Sequence, residues 1–127
     1  MQPTEYINLT GATDLNEDDY QNIVGKRMRK NAELLHYVLG LGTETAELQD
    51  AVKKCVVYGK SVDTTNVKEE LGDLLWYMAR IMDWYGFTFE SVMETNINKL
   101  KARYGAKFTE HAALNRDLNK EREVLEK

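Results

Sequence analysis

The chain has 127 residues, 43% apolar and 30% charged, with 17 Lys and Arg against 21 Asp and Glu for a net charge of -4. A chain of that length is expected to form one domain, 1–127, and to bury about two-thirds of its unfolded surface without disulfides or structural zinc; the single Cys55 allows no internal bridge and fits a reducing cytoplasm. Mild acidity spread along the chain argues against a binder of polymeric nucleic acid, and the absence of a long apolar run or a leader-like start argues against membrane spanning and secretion.

Taken in order, Met1 through Thr10, Gly11 and Thr13 read as irregular chain. A first helix is predicted from about Asn16 to Arg29, with Glu17, Asp18 and Asp19 at its positive end and Lys26, Arg27, Arg29 and Lys30 at its negative end. The second, about Ala32 to Tyr58, carries Leu34, Val38, Leu41, Leu48, Val52 and Cys55 on one stripe and stops at Gly59. Gly40 and Gly42 interrupt that stripe, which predicts a kink or a close contact there. The third starts near Asp63 to Asn66 and repeats Leu71, Leu74, Leu75, Met78, Ile81, Met82 and Tyr85 before Gly86. Thr88 is placed to cap a fourth, in which Phe89, Met93, Ile97, Leu100 and Tyr104 share a face until Gly105. The tail from Asn115 to Lys127 is helical in propensity but mostly charged, so it should lie on a surface or on a neighbouring subunit. Val, Ile and Thr are too scattered for strands. The expected fold is all-α, a four-helix-bundle-like core with a charged helical tail.

Acidic residues intrude on these apolar stripes in pairs. Glu44 and Glu47, three apart, share a helical face with Tyr37, Gly40 and Lys54, and Glu70 and Asp73 repeat the arrangement on the next helix. One such pair alone is more often a solvated face than a site. Two pairs on packed antiparallel helices would set four carboxylates around one cavity, where like charge beside an apolar core is costly unless a hard divalent cation joins them. Oxygen ligands without Cys or His favour magnesium or manganese over zinc.

These residues carry a resemblance. The segment GLGTETAELQDAVKK with Glu44 and Glu47, followed by EELGDLLWYMA with Glu70 and Asp73, resembles the paired ExxE and ExxD motifs of the all-α nucleoside triphosphate pyrophosphohydrolases, in their MazG-like branch. NINKLKARYGAKF, Asn96 to Phe108, is similar to the third segment of that family, where an Asn and a Lys approach the triphosphate. The likeness runs from about Leu35 to Phe108. It departs at Thr43 and Thr45, where many relatives have an acidic or small residue, and at Gly105, often a Pro; no expected ligand is removed. The resemblance implies magnesium-dependent cleavage of (deoxy)nucleoside triphosphates to the monophosphate and pyrophosphate, a lean to dGTP or GTP, and a homodimer or homotetramer. Glu44, Glu47, Glu70 and Asp73 are then the metal ligands and catalytic carboxylates, unless one of them, Glu47 by preference, instead orients or deprotonates the water.

Asn96 interrupts the fourth helix's apolar stripe, and Lys99 and Arg103 follow it at spacings of three and seven, able to meet phosphate oxygens. Tyr37, Trp76, Tyr77 and Trp84 offer rings for stacking a base, although such rings are more often core; Tyr77 leads because it shares the Glu70 and Asp73 face. His36 completes one ExxH with Glu33, but the second that a di-iron bundle needs is missing. The competing reading is a helical interaction or regulatory module whose acidic pairs are inert.

Overall fold

The computed structural model describes residues 1–126, and all regular structure among them is helical. Helix α1 (Pro3–Gly11) occupies the segment expected to be irregular. Pro3 sits in its first turn, where a missing N–H costs nothing, and Gln2 and Glu5 form a reciprocal capping box. Next, α2 (Glu17–Asp19), capped by the Asn16 side chain, runs through a π-helical turn at Tyr20–Val24 into α3 (Gly25–Lys30). The predicted first helix is thus present, widened by a turn that periodicity does not reveal.

Helix α4 (Ala32–Tyr58) has the expected bounds and runs unbroken through Gly40 and Gly42. Gly59 ends it in the left-handed conformation, φ 64°, and the Lys60 N–H reaches back to the Lys54 carbonyl at 3.2 Å. Asp63 then caps α5 (Thr64–Tyr85), accepting the N–H groups of Thr65 and Asn66. Thr88 and Ser91 cap α6 (Phe89–Tyr104) reciprocally, and the shorter α7 (Glu110–Leu114) and α8 (Leu118–Leu125) complete the chain. No described helix is long and apolar enough to cross a membrane.

The main packing joins α4 to α5 as an antiparallel hairpin. Tyr37 meets Arg80, Gly40 meets Tyr77, and Glu47 faces Glu70. Of the two predicted alternatives at the glycines, the close contact is the one realised. A Cβ on Gly40 would lie 2.1 Å from Cζ of Tyr77, so only hydrogen fits beneath that ring, whereas Gly42 has open space around it.

The second packing sets α8 on α6, with α7 beside them; α6 makes no comparable packing with α4. The charged tail therefore docks on its own chain. Glu121 is 4% exposed, and Arg103 donates to it from Nε at 2.8 Å and Nη2 at 2.6 Å while Arg116 does so at 3.2 and 2.7 Å.

Much of the predicted apolar face stays open in one chain. Val38, Val52, Leu71, Leu75, Met93 and Ile97 are exposed, and the accessible surface is 10482 Å², where a compact monomer of this mass has about 6,900 Å². About half of the unfolded surface is buried, not the expected two-thirds.

Candidate active site

The carboxylates converge where α4 and α5 face each other. Glu44, Glu47 and Glu70 each bring an oxygen within 4.8 Å of the others. Spacing of three on α4 puts Glu44 and Glu47 on one side of the helix, and the antiparallel register brings Glu70 across from them. Glu44 is half-buried, Glu47 exposed and Glu70 only 4% exposed. Asp73, exposed and almost one turn further along α5, stands outside this trio, yet its charge still reaches Glu44.

That crowding perturbs Glu44. Desolvation is the largest influence and pushes its carboxyl above the ordinary carboxylate range, with repulsion from Glu47, Asp73 and Glu70 adding to it. The Thr43 hydroxyl, 3.2 Å from Oε1 of Glu44, works the other way.

Two buried glutamates invite comparison. Glu121 and Glu70 are equally inaccessible, and Glu121 is held well below the usual carboxylate range by two guanidinium groups. Among the described residues Glu70 has one hydrogen-bond partner, the neutral amide of Asn66, at 2.7 Å. Lys54, a nearby cation on α4, is engaged by Asp50 at 2.8 Å. A carboxylate withdrawn from water beside two others and left without a cationic side chain is an electrostatic arrangement that a divalent cation would relieve.

Beside the carboxylates lies a cavity of about 640 Å³, walled by Arg29, Leu35, His36, Gly40, Thr43 and Tyr77 among others. Tyr77 lies edge-on to His36 at 5.9 Å and to Trp76 at 4.9 Å between ring centres. Tyr37 belongs to the interior, 8% exposed with the Arg80 guanidinium 5.3 Å over its ring, Trp76 is half open and Trp84 somewhat less so. Of the four candidate rings, Tyr77 is the one that walls this cavity. His36 and Arg29 join it there, which sequence reasoning missed; His36, Gly40 and Thr43 recur at four and three, the spacing that places them on one face.

Helix α6 carries the remaining candidates. Exposed Asn96 and half-buried Lys99 line a separate cavity of about 380 Å³ with Phe87, Ser91, Val92 and Leu125. Arg103 is brought to Glu121 of the tail, and its guanidinium also lies over the Tyr104 ring at 5.5 Å. Within one chain, then, the carboxylates and the α6 residues form two separate groups.

The chain is similar to "Gene 37 protein" of Mycobacterium phage L5, 34% identical over 76 residues that cover 56% of this chain and 67% of that protein. No solved structure matches it. The MazG nucleotide pyrophosphohydrolase domain matches residues 31–108, which take in α4, α5 and α6 whole and with them the four carboxylates, Tyr77, Asn96, Lys99 and Arg103, while Arg29 lies just before the match. By that match the chain belongs to the MazG nucleotide pyrophosphohydrolase family.

Proposed function

We propose that the protein hydrolyses (deoxy)nucleoside triphosphates to the nucleoside monophosphate and pyrophosphate in a reducing cytoplasm, with magnesium, or manganese in its place, held among Glu44, Glu47, Glu70 and Asp73. The observation that supports this reading most is Glu70, buried beside Glu44 and Glu47 without a cationic side chain as partner among the described residues. The donors are all carboxylate oxygens, the set that magnesium and manganese prefer. When bound, such a cation neutralises phosphate charge and acidifies water.

The chain's own residues divide the remaining work. Of the four carboxylates, Glu47, the exposed member of the trio, does not ligate the cation but instead orients the attacking water and takes its proton as the bond between the α- and β-phosphates is cleaved. Lys99 and Asn96 meet the triphosphate, with Lys99 offsetting its negative charge. The cavity beside Gly40 receives the base against Tyr77, and the guanidinium donors of Arg29 on its wall match the O6 and N7 acceptors of guanine, which supports dGTP and GTP as preferred substrates. Arg103 joins the phosphate contacts only after release from Glu121. A homodimer or homotetramer, supported by the open apolar faces, would let α6 of one copy approach the carboxylates of another.

Activity should require magnesium or manganese and vanish with EDTA. Glu47→Gln or Asp73→Asn should each lower turnover by about 10²-fold or more with helix content unchanged. Chromatography of the products should find monophosphate and pyrophosphate in equal amounts. Full activity in either variant removes the assignment of that carboxylate, and a nucleoside diphosphate product removes the reaction.

A further inference from the structure

We infer that Asn66 is a positioning residue that holds the buried Glu70 carboxylate in place for the cation; this rests on the function proposed above. Its Nδ2 donates to Oε1 of Glu70 at 2.7 Å, across one turn of α5. The turn that carries this amide is itself fixed through its backbone. Asp63 accepts the Asn66 backbone N–H at 3.1 Å and that of Thr65 at 3.0 Å, so the helix cap fixes the turn that carries the amide. The bond also lies at the site: Asn66, Glu47 and Glu70 line one cavity of about 270 Å³ with Asp50 and Lys54.

The chemistry of the donor explains its choice. A Glu side chain has three torsions to fix, and at 4% exposure Glu70 has little water available to replace a lost partner. An oxygen that accepts one N–H keeps a lone pair, and the second oxygen is unspent, so Asn66 orients the group without consuming its capacity as a ligand. A guanidinium or ammonium in the same place would supply the bond and the neutralising charge together, as Arg103 and Arg116 do for Glu121, and would compete with a cation. A carboxylate would add another like charge beside Glu44 and Glu47. A neutral amide supplies orientation alone.

The test is calorimetric titration of manganese into the metal-free, full-length protein at neutral pH. It compares wild type with Asn66→Ala, with Asn66→Leu, which keeps much of the volume but has no donor, and with Glu70→Gln. Both Asn66 variants should bind manganese about 10-fold or more weakly, the usual effect of losing a partner behind a metal ligand, while helix content and assembly mass stay as in wild type. Turnover at saturating manganese should fall by a smaller factor than affinity. Wild-type affinity within about twofold in both variants overturns the role of Asn66 while leaving the site standing. A wild-type protein that takes up no manganese, or a Glu70→Gln variant that binds it as wild type does, overturns the proposed site itself and the role of Asn66 with it.

Discussion

Tyr77 can lie as close to α4 as it does because Gly40 beneath its ring carries no Cβ. Gly40→Ala should therefore push the ring off α4, at a cost of about 1–3 kcal/mol for overpacking, and should be seen as a lower melting temperature with a changed near-ultraviolet circular dichroism spectrum. An unchanged spectrum and melting point would show that the contact is slack. At this scale the sequence was most legible where spacing decides the outcome: ExxE and ExxD each declare a shared helical face, and α4 and α5 deliver three of the four carboxylates to one place. It was least legible where partners are chosen across a turn or across helices. Asn66 reads as one more residue in the opening turn of a helix; its spacing of four from Glu70 permits a side-chain bond, but only the packing of α5 on α4 shows that Glu70 is buried and takes that amide as its partner. His36 and Arg29 gain their place only when α3 and α4 form the walls of an open groove with Tyr77.

Among the elements, α4, α5 and α6 were legible because an apolar period repeated over several turns coincides with a capped end in each, whereas α1 was not: it has a capping box, but its 9 residues are too few for an apolar period to repeat. The charged composition of α8 foretold a surface helix, but its anchor is a buried ion pair of a kind that hydrophobic periodicity cannot display. Glu121, Arg103 and Arg116 give that anchor a defined pH response. The glutamate's folded-state pKa is depressed, so its contribution to stability is present above the unfolded value of about 4.3 and is lost progressively as acidification proceeds toward the folded value. Hydrogen exchange should find α8 protected at neutral pH and progressively less so below about pH 4. In Glu121→Gln the protection should already be reduced at pH 7, because two guanidinium groups then face each other without a carboxylate. Equal protection of α8 in both proteins at neutral pH would mean that apolar contacts such as that of Leu125, not the ion pair, hold the tail.

For the molecule as a whole, the decisive quantity is the 10482 Å² of accessible surface, because a lone chain with Leu71, Leu75, Met93 and Ile97 open to water has an incomplete hydrophobic core. Light scattering should accordingly return a mass of two or four times 14.7 kDa at micromolar concentration, and a single-chain mass would refute the proposed assembly. The overall length and composition announced an ordinary compact domain, since they count apolar residues without saying whether one chain can bring all of them together. The separate packing of α6 with the tail, away from α4, has a consequence for control of the reaction. On the proposed assembly, the carboxylates and the lysine that meet one nucleotide belong to different copies, so hydrolytic power is a property of protein concentration rather than of the polypeptide. A newly made chain, alone among abundant triphosphates, would be idle until it met its like, and the cell's nucleotide pool would be spared a half-built hydrolase.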